Sequence, residues 1–147
     1  MEEAQRQKLV SLFEREHLAV LITQGERWPT ATLQAFGETA DLDLTFIMLN
    51  TAEKFINLSR HPEVTVMIDS RHSVGSDSLA IERVLVQGLA REVARDSAEW
   101  NELRPPFLKK NSFEAPYFDA PQIRMVRVRP VRISYAGIGR DNFKIEL

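Results

Sequence analysis

Lys54-Phe-Ile-Asn-Leu-Ser-Arg-His-Pro-Glu-Val-Thr-Val-Met-Ile-Asp69 joins a helical pattern to an extended one across a single proline. Phe55, Ile56 and Leu58 continue a helix that is stopped near His61-Pro62, because proline lacks the N–H and crowds the residue before it. Val64 to Ile68, apolar and rich in β-branched residues, reads as a strand. Just upstream, Asn50 with Glu53 three positions later resembles a capping box, so the helix is expected to open at Asn50-Thr51. Just downstream, Arg71 to Ser78 is polar, contains Gly75 and reads as a loop.

Working towards the N-terminus, Leu42 to Leu49 is a strand set off by acidic residues and Gly37. Trp28 to Phe36 has an extended pattern, with Thr30, Thr32, Gln34 and Phe36 on one side and Ala31, Leu33 and Ala35 on the other. It follows the apolar run His17 to Thr23 across a turn at Gly25, which makes a hairpin. Residues 2–16 place Leu9, Leu12 and Phe13 on one face of an amphipathic helix. Towards the C-terminus, Ile81 to Val93 is a long strand in which Gly88 marks a bulge or a close backbone approach. Asp96 and Glu99 form a second cap-like pair, and Trp100 and Leu103 share a helix face that Pro105-Pro106 is expected to end. Residues 105–122 are expected to be an irregular, aromatic-rich segment, Ile123 to Tyr135 a sixth strand and Phe143 to Leu147 a short edge. Six strands with few intervening helices favour an antiparallel barrel over a doubly wound sheet.

The 147 residues fit one domain, 1–147, able to bury roughly 70% of the unfolded surface. A net charge of −2 gives no pull towards nucleic acid or anionic membranes, and no apolar run is long enough to span a bilayer. There is no cysteine, which excludes disulfides and thiolate chemistry. The charged N-terminus does not read as a signal peptide, so a cytoplasmic location is expected. His17, His61 and His72 show no metal-binding spacing, and the serines around the 71–78 loop lack a nucleophile-elbow pattern. Neither a metal nor a catalytic residue is assigned. Arg124, Arg127, Arg129 and Arg132 make the sixth strand basic; a face paired with acidic residues explains this more simply than an anion cleft.

Several local words, in order, carry a resemblance. Lys54 with Asn57-Leu58, then His61-Pro62 leading into a strand that ends at Asp69, is similar to the Lys, Asn-Leu and Asn-Pro or Asp-Pro words of a known family. Asp69-Ser-Arg71 resembles its Asp-Asn-Arg, and Gly88-Leu-Ala90 its Gly-x-Ala strand. On these residues the chain resembles the pyridoxamine 5′-phosphate oxidase-like, FMN-binding split-barrel family over about residues 10–147. The resemblance implies a mainly β protein with helices: a six-stranded antiparallel Greek-key split barrel that forms a homodimer, with FMN in clefts at the interface. Haem is the alternative cofactor.

An anion site at residues 50–54 stands on the residues themselves. Free amides and a partial positive charge at a helix N-terminus suit a phosphate, Thr51 adds a hydroxyl and Lys54 a full charge. A lysine snorkelling over Phe55 is the plainer reading. The resemblance adds Asn50, Ile47 and Met48 near the phosphate, the backbone of Thr32 to Gln34, including Leu33, against the flavin ring, and Arg71 and Gln87 at the margin. At Met48, Ala52 and Glu53 relatives often carry Thr or Ser, a hydroxyl residue and Arg. Met48 and Ala52 offer no side-chain donor, and Glu53 repels a phosphate. An FMN-dependent oxidoreductase, a non-enzymatic flavin- or haem-binding or storage protein, and a structural dimer with a vestigial cleft therefore all stay open, and the substrate is not readable.

Overall fold

The computed structural model describes all 147 residues, and its strands form one sheet. Helix α1 (Glu3–Arg15) buries Leu9, Leu12 and Phe13. Strands β1 (Leu18–Gln24) and β2 (Pro29–Ala35) make the expected hairpin, with Leu18 opposite Ala35 and Gln24 opposite Pro29. Phe36 alone separates β2 from a two-residue strand, β3 (Gly37–Glu38). Next come β4 (Leu44–Leu49), α2 (Glu53–Arg60), β5 (Glu63–Asp69) and the long β6 (Glu82–Val93). Helix α3 (Arg71–Val74) and a 3-10 turn at Ser78–Ala80 occupy what the sequence presents as a loop. The chain closes with α4 (Ala98–Lys110), a 3-10 segment (Ser112–Asp119), β7 (Ile123–Gly137) and β8 (Phe143–Glu146). No helix is long and apolar enough to cross a membrane.

The sheet runs β2-β1-β5-β6-β7-β4-β3, with β8 on β7, and every pairing is antiparallel. Its two end strands, β2 and β3, are neighbours in sequence, so the sheet must curl on itself. This is the split barrel, with a seam between the outer edge of β2 and the β3–β4 side. Eight strands are present: the six of the expected barrel, the short C-terminal edge expected at Phe143 to Leu147, which is β8, and one addition, β3.

Alternation fills the interior. Leu21, Val66, Ile68, Val84, Val86 and Val128 point inwards and meet Phe13 and Leu12 of α1, while a smaller cluster of Trp100, Phe107, Phe118 and Met125 packs beneath α4. Gly88 has both expected features. The β6–β7 register shifts between Gln87 and Gly88, and a Cβ on Gly88 would lie 2.4 Å from the Arg129 carbonyl oxygen.

Local expectations fail at four places, each for a physical reason. Helix α4 does not end at Pro105-Pro106 but runs to Lys110. Both prolines are exposed, so the carbonyls they leave free face water, and Phe107 is buried in the same stripe as Trp100 and Leu103. The final turn is also held by Lys110, whose ammonium donates to Glu38 at 2.7 Å and to the Phe13 carbonyl at 2.5 Å. Much of 105–122 is therefore helical rather than irregular. The cap of α4 is Ser97, whose hydroxyl accepts from Trp100 N–H at 3.1 Å, whereas Asp96 takes a left-handed φ of 61° and Glu99 bonds Arg91. Strand β4 starts two residues late, because Leu42 turns with a φ of 67°. Asn50 does not cap α2: Ala52 holds that position, without a side-chain bond.

Candidate functional site

Along the seam, the chain leaves hydrogen-bonding groups unused. Thr32 and Gln34 point to the inner side of β2, and Asn50 ends β4 just before α2. Thr32 Oγ1, both amide atoms of Gln34 and Asn50 Oδ1 are cut off from solvent and have no partner. Each such atom costs about 1–3 kcal/mol when left unsatisfied. The seam is tied at one point, where Thr30 Oγ1 donates to Glu53 at 3.2 Å.

The edge of β2 is open as well. Phe36 N–H donates to the His17 carbonyl at 3.3 Å, so by the two-residue alternation of an antiparallel ladder Thr32 and Gln34 direct their backbone groups to β1. Leu33 then directs its N–H and C=O to the free edge. Its side chain, 66% exposed, stands on the outer face.

Residues 50–54 are divided by the helix itself. Consecutive helical residues lie about 100° apart, so Glu53 and Lys54 face different neighbours. Thr51 and Glu53 line a polar hollow of about 430 Å³ with Arg27, Thr30 and Asn57. Lys54 leans instead towards the 3-10 segment. Burial pushes its ammonium below the ordinary lysine range, and the charge of Glu114 opposes that shift. Burial likewise raises Glu114, with Lys54 pulling it down. Glu53 at the first turn already gives the α2 dipole a negative group.

Among the other expected positions, Ile47 and Met48 are buried, Met48 in the main core and Ile47 in the cluster under α4, so only their backbones adjoin the seam. Gln87 is exposed on the outer face of β6, opposite Thr65 and Arg132. Arg71 is also outside, bonded through Nε at 2.8 Å and Nη2 at 2.6 Å to Asp69. The Asp69 carboxyl lies below its usual range because of that hydrogen bond. The structure thus gathers Thr32, Gln34 and Asn50 along the seam and separates them from Arg71 and Gln87.

Two features of the outer face are absent from the sequence reading. Register aligns Leu33, Val20, Met67 and Leu85 as an apolar row across four strands. Beside it lies a pocket of about 150 Å³ formed by Leu18, Val20, Leu33 and Met67 below Arg71 and His72. The Asp69-Ser-Arg71 word signals the rim; the floor depends on strand pairing. Of the four β7 arginines, Arg124 pairs with Glu92 at 3.2 Å, Arg127 with Asp43 at 2.6 Å, and Arg132 with Glu146, as the paired-face reading expects.

No protein-family model matches the chain, and no curated protein sequence matches it. Solved structures do. A heme binding protein from Mycobacterium smegmatis superposes with a TM-score of 0.87 at 20% identity, over 99% of this chain and 59% of that one. The chain thus spans about three fifths of that protein's length. An FAD-binding protein from Mesorhizobium loti gives 0.72 at 15% identity, over 88% and 90%. A candidate pyridoxamine 5′-phosphate oxidase from Listeria innocua gives 0.68 at 20% identity, over 88% and 95%. The architecture of this chain is the pyridoxamine 5′-phosphate oxidase-like split barrel.

Proposed function

We propose that this protein is a cytoplasmic homodimer that binds FMN along the seam beside β2 and acts as a flavin-dependent oxidoreductase on a small molecule. One observation carries the reading: the buried polar atoms of Thr32, Gln34 and Asn50 have no partner within the chain. The pyrimidine end of a flavin has carbonyl oxygens and ring nitrogens that suit these groups and the free backbone edge at Leu33. Lys54 and the start of α2 would meet the phosphate charge. Bound FMN supplies hydride or electron transfer; the chain's residues hold the ring, exclude water and tune it by hydrogen bonds. The apolar row through Leu33 and Leu85 favours a second copy as the cover of the outer face, since exposed apolar patches of this kind mark interaction surfaces.

Titration with FMN, followed by the quenching of flavin fluorescence, tests the site. Lys54→Ala is expected to weaken binding several-fold without unfolding the barrel, and unchanged affinity would remove Lys54 from the site. Light scattering is expected to give twice the chain mass.

A second reading is favoured by Glu53, whose carboxylate lines the hollow at the start of α2, and by the lack of side-chain donors at Met48 and Ala52. In that reading the barrel stores flavin or haem without catalysis. A yellow purified protein that turns over supports the first reading, and a Soret band supports haem storage.

A further inference from the structure

Of the four β7 arginines, Arg129 is left without a partner. It is exposed and stands opposite Leu89 of β6, next to the opposed pair Arg91 and Arg127. Like charges directly across a ladder repel, and two carboxylates offset that pair. Glu99, in the first turn of α4, accepts from Arg91 Nη1 at 2.7 Å and Nη2 at 2.5 Å, and from Arg127 Nη1 at 3.3 Å. Asp43 accepts from Arg127 Nε at 2.6 Å. Neither acid comes within ion-pair distance of Arg129, nor does Glu63 on the other side of Leu89.

Asp43, Leu89, Ala90, Arg91, Arg127 and Arg129 line a pocket of about 380 Å³. With Glu99 beside it, three guanidiniums face two carboxylates, an excess of one positive charge. Arg129 has its whole fork of donors free, and Arg127 Nη2 has no acceptor. A guanidinium fork takes two oxygens of an anion. A carboxylate would then have none left for Arg127, whereas a phosphate has a third. The pocket is larger than a phosphate ion and Leu89 gives it an apolar wall, so an organic group fits beside the anion.

We propose that this pocket binds a phosphomonoester, its phosphate on Arg129 and Arg127 and its carbon group on Leu89. The site is independent of the flavin reading, since Asp43 and the start of α2 lie at opposite ends of β4, roughly 20 Å apart along the strand. It is also distinct from the apolar row, which crosses β6 at Leu85, roughly 13 Å along that strand from Leu89.

Phenyl phosphate, inorganic phosphate and benzoate are titrated into the full chain in its native oligomeric state, followed by NMR and calorimetry. Low salt limits screening, and about pH 8 keeps the phosphates dianionic. Phenyl phosphate is expected to bind with a Kd of about 1 mM or tighter. Inorganic phosphate is expected to bind several-fold more weakly and benzoate about tenfold more weakly. Arg129→Gln is expected to lower phenyl phosphate affinity about tenfold, and Arg129→Lys, which keeps the charge but not the fork, several-fold. Lys54→Ala is expected to leave it unchanged. The proposal is overturned by no phenyl phosphate binding, by equally tight benzoate or inorganic phosphate, or by full affinity in either Arg129 variant. Loss of affinity in Lys54→Ala would move the phosphate to α2 and overturn it as well. Should Arg129→Gln fail to fold, Arg129→Lys and the benzoate comparison decide.

Discussion

Glu82 and the seam beside β2 are both polar insertions into an apolar barrel, but only the first is complete within the chain. Tyr135 and Arg15 donate to the two carboxylate oxygens of Glu82, and Arg140 lies 3.9 Å away. Glu82 N–H donates to Ser70 Oγ at 2.9 Å, and Tyr135 stacks on Phe143 with ring centroids 4.9 Å apart. Along the seam, Thr32, Gln34 and Asn50 have buried polar atoms with nothing to bond. A satisfied network rigidifies a fold, whereas an unsatisfied one reduces stability unless something else completes it. The contrast separates a pole that the chain completes by itself, at Glu82, from a seam that it leaves incomplete, and the proposed flavin site rests on that incompleteness.

The sharpest way to break this contrast is to remove Glu82. Glu82→Ala leaves a buried hydroxyl and a guanidinium without their acceptor and is expected to cost about 3 kcal/mol, read as a lower urea midpoint. A loss below about 1 kcal/mol would make this pole as loosely built as the seam.

The pH dependence of stability is the next effect in size. Burial, then the hydrogen bond and charge of Glu82, push the Tyr135 hydroxyl up to about 12 from 10.0. A group raised on folding stabilises the protein fully below its unfolded value, so this contribution is present below pH 10 and fades as pH climbs towards 12. For Glu82, burial alone pushes upwards, but the hydrogen bonds from Tyr135 and Arg15 and the nearby positive charges outweigh it, and the carboxyl lies below its usual value. Its contribution is present above the ordinary carboxylate range and lost as the solution is acidified. Urea midpoints between pH 8 and 11 are expected to fall less steeply at the alkaline end in Tyr135→Phe. An unaltered slope would show that another group controls it.

The smallest expected stability change is at the seam. Gln34→Leu removes two unpartnered atoms and is expected to leave the urea midpoint unchanged or raise stability by about 0.5 kcal/mol, while weakening FMN binding. A loss above 1 kcal/mol would mean that Gln34 is satisfied in the folded protein and that the seam is structural.

Periodicity and proline placed the main elements, because the patterns of Leu9-Leu12-Phe13, of β2 and of 54–69 are local. Where a distant contact competes with a local rule, the sequence misleads. Asn50 is a better N-cap type than Ala52, yet its N–H bonds the Gln122 carbonyl at 2.8 Å, which holds it at the end of β4. Pro105-Pro106 is a strong stop, yet the burial of Phe107 carries α4 onwards. The candidate site divides in the same way. Lys54 was visible as a charge in a first helical turn, but its approach to Glu114, 60 residues away, was not.

By itself, then, the sequence determined the order of the main helices and strands, though not β3 or α3, together with the irregularity at Gly88 and the residue types near the start of α2, since each depends on neighbours a few positions apart. Only the tertiary structure decided that Gln34 lacks a partner, that Lys54 faces Glu114, and that Leu18, Val20, Leu33 and Met67 come together as one apolar floor on the outer face. Hydrogen-bond satisfaction and burial are properties of surroundings assembled from remote segments, and no local pattern encodes them.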